Sequence, residues 1–256
     1  MPGEGVHPTP YPDVNALLAT LLAGVRAILG DQLVGLYLHG SLAAGDFGAG
    51  SDIDFAVVTA NELPEDTVRT LGEMHARLRA SDTKWAAKLE GPYIPRQMLR
   101  RYHPAQTRCP WLGVDGHFAV EQLGPDWVLQ SHVLREQGVA VTGPPPRTLI
   151  DPISPDDLRH AVRETLRLWW APMLDDLARL QEYVLVYQHY AVLTMCRMLY
   201  TLHHGTVASK SVAARWAQEE LGERWGALIT WALEGREGDR SEAVVGLVRS
   251  VMEKGG

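Results

Sequence analysis

Cysteine and long apolar runs are both scarce in this sequence, and each shortage excludes a class of protein. The 256 residues include two cysteines, Cys109 and Cys196, which have neither the number nor the spacing of a disulfide framework or a cysteine metal site. We therefore predict a reducing, cytoplasmic location. No apolar run approaches the roughly 20 residues that cross a bilayer, so we expect no membrane partner.

Basic residues are also fewer than acidic ones. Lysine and arginine number 24 against 31 aspartates and glutamates, which gives a net charge of −7. Duplex nucleic acid is bound through a basic surface, so we do not expect it as a partner. The acidic balance instead suits a small cationic substrate, or nucleotide phosphates whose charge a metal ion neutralises. The composition carries no signal for an oligomeric state.

The N-terminal half alternates predicted helices and strands. Residues 1–12 are rich in proline and glycine and lack the basic and apolar regions of a signal peptide, so we predict a disordered lead-in. Asp13 is expected to cap a first helix that ends at Gly30. Two short apolar runs, 33–39 and 52–59, predict buried strands joined by a glycine-rich turn. The remaining predictions are a helix over 64–80, a strand over 84–94, an irregular stretch over 95–123, a helix over 126–137 and a strand over 139–141.

A proline-rich stretch, TGPPPRTLIDPISP, separates this half from one with helical patterns only. It is the expected linker, and we place the domain boundary between residues 145 and 146. Ser154, followed by Pro155 and Asp157, predicts a capped helix start. Further helices are expected at roughly 155–170, 174–204, 208–221, 224–234 and 239–253.

Two aspartates spaced by one residue open the second strand, in the stretch LYLHGSLAAGDFGAGSDIDFAVVT. Alternate side chains of a strand share a face, about 6.6 Å apart along the chain. Asp52 and Asp54 are therefore expected to project together, while Ile53 and Phe55 face the core. Two carboxylates on one face repel each other unless a cation lies between them. Oxygen ligands of this kind suit Mg²⁺, which substrate phosphates then complete.

Gly40 and Ser41 end the preceding strand, where glycine permits close backbone approach and serine offers an N–H and a hydroxyl to a phosphate oxygen. If the two strands are neighbours, this pair lies beside the carboxylates and forms a site for a metal-bound triphosphate. A bare Asp-x-Asp also arises by chance in a chain with 31 acidic residues, and Ser51 could simply cap a turn. The order strand, Gly-Ser, glycine-rich turn, Ser-Asp-x-Asp, strand favours the functional interpretation.

The stretch HGSLAAGDFGAGSDIDFAVV resembles the Gly-Ser…Asp-x-Asp signature of the polymerase-β-like nucleotidyltransferases. Two later stretches, GVAVTGPPPRTLIDPISPDDLRHAVRETLRLWW and YAVLTMCRMLYTLHHGTVASKSVAARWAQEEL, are similar to the helical C-terminal domain of the streptomycin/spectinomycin adenylyltransferases. The resemblance spans about residues 30 to 235. It implies an α+β fold, in which a nucleotidyltransferase domain with a small mixed sheet and helices (13–145) precedes an all-α helical-bundle domain (146–256).

Members of this family transfer AMP from ATP to a hydroxyl of an aminocyclitol or aminoglycoside antibiotic and release pyrophosphate. The resemblance therefore implies ATP as co-substrate and two Mg²⁺ ions, with Asp52 and Asp54 as metal ligands. The family's third carboxylate, a general base that joins the metal set, corresponds to Glu90 in KLEGPYI. A glutamate in the apolar run WAAKLE needs a partner, although an exposed edge-strand residue would give the same pattern. Asp82 and Asp115 are the fallback candidates for the base.

In the helical domain, the resemblance assigns nucleotide-phosphate contacts to Arg197 in LTMCRMLY and Lys210 in VASKSVAARWA. Each could equally be a solvated helix charge, but the flanking match favours the phosphate role. We expect both on the far wall of an interdomain cleft. Gly40, Ser41 and Ser51 carry over as further nucleotide contacts.

The segment expected to contact the acceptor departs from the family. The streptomycin/spectinomycin enzymes have an acidic stretch before the arginine-bearing helix, whereas this chain has VYQHYAV. Asp175, Asp176 and Glu182 either replace that acidic grip or form the polar face of a helix. Trp169 matches the family tryptophan. The departure weakens the case for streptomycin and spectinomycin themselves as acceptors.

Three functions fit these observations. The favoured one is a Mg²⁺-dependent adenylyltransferase for a small hydroxyl-bearing acceptor, cationic if it is an aminoglycoside. The second is a nucleotidyltransferase that modifies a macromolecule, of the antitoxin or protein-AMPylating type. A variant of the second makes the helical half a ribonuclease of the HEPN type, since Arg197 and His203 have a matching spacing. The third is a nucleotide-binding module without catalysis, against which the paired carboxylates argue.

Overall fold

The computed structural model describes residues 7–48 and 50–255 and divides into two compact units, Met1–Pro152 and Ile153–Gly256. The predicted α+β class is confirmed, because a mixed sheet with helices is followed by helices only. The predicted boundary between residues 145 and 146 lies a little before this division and stays a prediction. Half of the predicted lead-in, residues 1–6, lies outside the described residues.

The N-terminal unit alternates helices and strands. Its helices are α1 (Pro12–Leu29), α2 (Gly40–Ala44), α3 (Glu65–Arg79), α4 (Arg96–Arg100) and α5 (Trp127–Gln137). Its strands are β1 (Leu33–Leu38), β2 (Ile53–Thr59), β3 (Leu89–Pro95), β4 (Arg108–Leu112), β5 (Phe118–Gln122) and β6 (Val139–Thr142). Short 3₁₀ turns cover Gly30–Gln32, Ala86–Lys88 and Pro146–Thr148.

The six strands form one mixed sheet in the order β5-β4-β3-β2-β1-β6. β2 and β3 run parallel, and every other neighbouring pair is antiparallel. One face of the central strands, which carries Leu38, Phe55 and Val57, packs with α1 and α3 in the apolar core. The opposite face carries the alternate side chains, and these include Asp54 and Glu90.

Two expectations for this unit are wrong. Asp13 does not cap α1, because the helix already begins at Pro12 and Asp13 lies in its first turn. The stretch 95–123 is not irregular but contains α4, β4 and β5. Pro110 interrupts the pattern of β4, and β5 is a mostly exposed edge strand. Neither strand therefore has the apolar run by which buried strands are recognised.

The segment Pro12–Gln32 corrects the expectation that no apolar run is long enough to cross a membrane. In the described part of the chain, it is the one helical segment that is long and apolar enough to cross a membrane. Core helices pass the same test, so the match is weak evidence for a membrane. The apolar residues of α1 that lie buried in the core are Val14, Leu17, Leu18, Leu21, Val25 and Leu29.

The C-terminal unit contains α6 (Pro155–Thr165), α7 (Ala171–Asp175), α8 (Leu177–His204), α9 (Lys210–Leu221), α10 (Glu223–Leu233) and α11 (Ser241–Gly255). The predicted cap of α6 is confirmed: Ser154 Oγ accepts from the Asp157 N–H, and the Asp157 carboxylate accepts from the Ser154 N–H. Two irregularities interrupt the helices. A π-helix, Leu166–Trp170, joins α6 to α7, and α8 has a kink at Tyr187.

Candidate active site

Two of the predicted carboxylates lie side by side on the central strands. Asp54 in β2 and Glu90 in β3 are register partners of the parallel pair. Their side chains therefore share one face of the sheet, on strands about 4.8 Å apart. Both residues are half-buried. Asp52 lies just before β2, two residues ahead of Asp54.

Gly40 packs directly against Asp54. A Cβ atom at Gly40 would lie 1.9 Å from Asp54 Oδ2, and the backbone of Gly40 has a φ of 63°. Both the space and the conformation therefore require glycine. Gly40 and Ser41 begin α2, a short helix at the start of what the sequence predicts as a turn. Gly40 thus lies beside Asp54, the arrangement that the sequence predicts for neighbouring strands.

Ser51 closes the glycine-rich turn. Its hydroxyl oxygen accepts from the Gly48 N–H at 3.0 Å, and its own N–H donates to the Gly48 carbonyl oxygen at 3.0 Å. These bonds give Ser51 the turn-capping role that was one of its two interpretations. Because the hydroxyl is the acceptor in its bond, its proton can still be donated to a phosphate oxygen.

Asp52 is paired with a lysine that precedes β3. Lys88 Nζ lies 3.3 Å from Asp52 Oδ1, and both side chains are partly exposed. In the described part of the chain, no three His, Cys, Asp or Glu side chains form a group that could hold a metal ion. The predicted set of Asp52, Asp54 and Glu90 therefore does not form such a group here. The donor chemistry nevertheless fits Mg²⁺, which binds through one or two carboxylates plus substrate phosphates. The Lys88 ammonium group shows that a cation is accommodated at Asp52.

His39, which no sequence motif indicated, borders the same site. It is 4% exposed, and its backbone N–H donates to the Asp54 carbonyl oxygen at 3.1 Å. Continuing the β1–β2 register by one residue places the His39 side chain opposite Asp54 on the same face. Burial lowers the pKa of His39, while the Asp54 carboxylate and a contact with the Phe55 backbone oppose that shift. The available signal was a histidine directly before Gly-Ser at a strand end.

Of the three candidates for the general base, Glu90 is the one that lies beside Asp54. Asp82 is an exposed residue between α3 and the 3₁₀ turn before β3. Asp115 lies in the turn between β4 and β5, where its Oδ1 accepts from the His117 N–H at 2.8 Å. Neither fallback residue is on the two strands that carry Asp54 and Glu90.

The two predicted phosphate contacts of the C-terminal unit lie on adjacent helices. Arg197 is half-buried in the second half of α8, and Lys210 is the exposed first residue of α9. Ser209 Oγ caps α9 by accepting from the Val212 N–H at 3.4 Å. His203 packs its ring against Trp216, with the centroids 5.3 Å apart. The phosphate roles of Arg197 and Lys210 stay predictions.

Aromatic side chains are concentrated at the two helix irregularities. Trp169 in the π-helix is 50% exposed, and Tyr187 at the kink of α8 is 49% exposed. Tyr183 lies between them, with ring centroids 6.5 Å from Trp169 and 5.0 Å from Tyr187. We call these three residues the aromatic strip. Trp170, next to Trp169 in the chain, is instead 2% exposed.

The acidic residues around this strip have different environments. Asp176 caps α8, because its Oδ1 accepts from the Arg179 N–H at 3.2 Å. Asp175 and Glu182 are exposed. A helix cap accounts for Asp176 without an acceptor molecule, whereas no cap is observed for Asp175 and Glu182 within the described residues.

Two family models match the chain. Residues 27–84 match "Polymerase beta, Nucleotidyltransferase", and residues 148–254 match "Aminoglycoside adenylyltransferase, C-terminal domain". The first match contains the Gly-Ser and Asp-x-Asp motifs, and the second contains Arg197 and Lys210. These are the two resemblances that the sequence motifs indicated.

Relatives of known name cover most of the chain. An "Aminoglycoside (3'') (9) adenylyltransferase" of Escherichia coli is 29% identical over 240 residues, which are 89% of this chain and 88% of the relative. A "Spectinomycin 9-adenylyltransferase" of Staphylococcus aureus is 27% identical over 236 residues, 89% of this chain and 86% of the relative. These relatives confirm the prediction of a nucleotidyltransferase enzyme.

A solved structure has the same fold. It is the spectinomycin adenyltransferase AAD(9) from Enterococcus faecialis with ATP and spectinomycin, and it matches with a TM-score of 0.74 at 18% identity over 93% of this chain and 98% of that one. The chain therefore has the fold of that structure, and it carries a match to the nucleotidyltransferase model followed by a match to the C-terminal domain model of the aminoglycoside adenylyltransferases.

Proposed function

We propose that this protein transfers AMP from ATP to a hydroxyl of a small antibiotic of the aminoglycoside or aminocyclitol class, in a Mg²⁺-dependent reaction that releases pyrophosphate. The names of the relatives support adenylyl transfer to an antibiotic, and the solved neighbour with ATP and spectinomycin supports ATP as the donor. The observation that carries the proposal is the pairing of Asp54 with Glu90 against Gly40. A cytoplasmic location is part of the proposal, since ATP is available there.

Glu90 is the proposed general base. Its carboxylate takes the proton of the acceptor hydroxyl while the hydroxyl oxygen attacks the α-phosphorus of ATP. A new P–O bond forms to the acceptor. The bond from the α-phosphorus to the oxygen bridging to the β-phosphate breaks, and pyrophosphate leaves with that electron pair. Glu90 is placed for this task because it is half-buried on β3 directly beside Asp54, next to the site proposed for the cation.

Asp52 and Asp54 would hold Mg²⁺, and Glu90 would complete the set for the two ions that the family resemblance implies. When bound, the metal neutralises the triphosphate and stabilises the pyrophosphate leaving group. Lys88 must then release Asp52 Oδ1, to which it lies 3.3 Å away. The ion pair is partly exposed and therefore contributes little, so its loss is a small cost.

The remaining nucleotide contacts are proposed on chemical grounds. Gly40 admits close approach at the start of α2, and Ser41 and Ser51 offer hydroxyl donors to phosphate oxygens. Arg197 and Lys210 would neutralise charge on the triphosphate. Guanidinium and ammonium groups are the standard protein partners of phosphate.

The acceptor is proposed by class only. The aromatic strip offers exposed ring faces, and Asp175 and Glu182 offer exposed carboxylates. Rings and carboxylates both attract amino groups, which suits an aminoglycoside or aminocyclitol. This combination of rings and carboxylates differs from the acidic stretch of the streptomycin/spectinomycin enzymes. Another aminoglycoside or aminocyclitol is therefore as good a candidate acceptor as streptomycin or spectinomycin.

An adenylylation assay tests the proposal. The protein is incubated with Mg²⁺, ATP labelled in the α-phosphate, and a panel of aminoglycosides and aminocyclitols that includes streptomycin and spectinomycin. We expect a labelled drug and an equal amount of pyrophosphate. Asp54→Asn should lower the transfer rate by about 10³-fold or more, and Asp82→Asn, an exposed carboxylate of the same unit, should keep the wild-type rate.

The same assay separates the alternative functions. Label transferred to a candidate protein, with none in any drug, would replace the proposal with a macromolecular nucleotidyltransferase. Cleavage of added RNA that depends on His203 would support the ribonuclease variant. The packing of His203 on Trp216 argues against that variant, because it gives this histidine a structural role. ATP binding without transfer to any acceptor would leave the third function, a binding module.

A further inference from the structure

Three buried polar atoms next to the site have no hydrogen-bond partner within the part of the chain that the structure describes. They are Nδ1 and Nε2 of His39 and Nε1 of Trp127. His39 is 4% exposed and Trp127 is 2% exposed. Polar atoms buried in this way cost free energy unless they are paired. Each such atom calls for an explanation, for example a functional role or a bound water or ion.

The two rings are close enough to pair with each other. They meet edge to face with centroids 6.3 Å apart, and α5, which begins at Trp127, packs against α2 directly after His39. An indole N–H can only donate, whereas a neutral imidazole has one donor nitrogen and one acceptor nitrogen. A small movement of the rings therefore lets the Trp127 N–H donate to His39.

The donor nitrogen of His39 then needs an acceptor. The Phe55 backbone lies near the ring, and the side-chain acceptor opposite it on the same face of the sheet is the Asp54 carboxylate. The backbone bond from His39 N to Asp54 O at 3.1 Å fixes the two residues opposite each other. A carboxylate has about four lone-pair sites. A bond from His39 therefore does not by itself prevent Asp54 from binding a cation.

We propose that His39 is a positioning residue, which accepts from the Trp127 indole N–H and donates to the Asp54 carboxylate when Mg²⁺ and nucleotide are bound. This role rests on the proposed function, because Asp54 matters here as a ligand of the cation. It accounts for all three unpaired atoms at once. Hydrogen bonds of this outer kind typically change metal affinity by about 10- to 100-fold.

A second buried histidine of the same unit provides the matched control. His75 is 3% exposed, and its Nε2 is 2.8 Å from Tyr93 Oη. It contacts Phe55 and Phe118 in the apolar core on the other face of the sheet. Replacing His75 removes a packing residue without touching the proposed relay.

The test measures ATP affinity with and without Mg²⁺ in the same sample, so that the ratio of the two dissociation constants is independent of the active fraction. His39→Phe should not lower the thermal midpoint, since it removes unpaired buried atoms. It should lower the Mg²⁺-dependent gain in ATP affinity, which is the ratio of the two dissociation constants, by at least about 10-fold. His39→Asn and His39→Gln retain an N–H donor at the Nδ1 and Nε2 positions respectively, and at least one should restore most of the gain. His75→Phe should lower the thermal midpoint and keep the gain.

A second measurement follows the relay directly. The indole N–H resonance of Trp127, identified by its loss in Trp127→Phe, should move downfield when Mg²⁺ and ATP are added, and should not move in His39→Phe. The role of His39 would be overturned if the Mg²⁺-dependent gain in ATP affinity of His39→Phe were within twofold of wild type. It would also be overturned if His39→Asn and His39→Gln both behaved like His39→Phe. A wild-type protein that binds ATP with Mg²⁺ but modifies no acceptor would instead remove the proposed reaction and leave the His39 result standing.

Discussion

The two units of this chain present their candidate site residues in opposite ways. In the N-terminal unit, regular strands do the positioning. The register of β2 and β3 sets Asp54 beside Glu90, and Gly40, which begins α2 just after β1, packs against Asp54. In the C-terminal unit, the exposed aromatic residues lie where the helices are irregular, at the π-helix and at the kink of α8. π-helices are rare and frequently occur at functional sites.

This difference has a physical basis. A phosphoryl-transfer site needs carboxylates at fixed spacing, and paired strands supply that spacing through backbone hydrogen bonds. A surface that binds a variable acceptor has no such need, and local helix distortions can alter it while the buried core stays the same. We therefore expect substitutions in the first unit to affect the reaction itself, and substitutions in the aromatic strip to affect the choice of acceptor.

Apart from the loss of a site carboxylate itself, the largest effect is expected at Gly40. In Gly40→Ala the new Cβ would lie 1.9 Å from Asp54 Oδ2, so either the carboxylate or α2 must move. A displacement of about 1 Å at a reacting centre can lower turnover by about 10²-fold, and we expect a loss of that size in kcat/KM.

Gly45→Ala is the control. Its φ is also positive, at 77°, but nothing lies within 4 Å of the added Cβ, so it should cost about 1–2 kcal/mol of stability and keep the wild-type turnover. Equal turnover in the two variants would contradict the close packing.

Adjacent tryptophans test the second unit. Trp170→Ala should lower the free energy of unfolding by about 3–5 kcal/mol, because the side chain is buried. Trp169→Ala should change it by less than about 1 kcal/mol and should raise the KM for the acceptor about three- to tenfold, the usual weight of one aromatic contact. Urea unfolding and steady-state kinetics measure the two quantities. An unchanged acceptor KM in Trp169→Ala would show that Trp169 of the aromatic strip does not contribute to acceptor binding.

The smallest effect is expected at Lys88. Lys88→Met removes the ammonium group that lies 3.3 Å from Asp52 Oδ1, so Mg²⁺ no longer competes with it. A partly exposed ion pair is worth up to about 1 kcal/mol, which corresponds to an increase in Mg²⁺ affinity of up to about fivefold. Lys84→Met, whose ammonium group lies over the Trp85 ring, is the matched control. A weaker Mg²⁺-dependent binding of ATP in Lys88→Met would show that Lys88 contacts the nucleotide instead.

The site of the first unit was largely predictable from the sequence, and the aromatic strip was not. Asp52, Asp54 and the Gly-Ser pair form a local motif within 15 residues. Strand periodicity predicts one face for the two aspartates, and pairing of the two neighbouring strands brings Gly40 beside them. Glu90 is 36 residues from Asp54, and its position depended on a family resemblance. His39 was missed because a lone histidine at a strand end has no pattern, and its environment is set by Trp127 from a distant helix. The π-helix and the kink at Tyr187 depend on packing, which helical periodicity does not report.

The most direct test of the central claim is a single-turnover measurement on Glu90→Gln. The variant is saturated with ATP and Mg²⁺, its ATP affinity is measured on the same sample, and the rate of AMP transfer is followed after addition of an acceptor that the wild-type protein modifies. We predict ATP affinity within about threefold of wild type and a transfer rate lower by about 10²- to 10⁴-fold, the range for loss of a general base. A transfer rate near that of the wild type would contradict the assignment of Glu90, and with it the account of how the paired strands of the first unit perform the reaction.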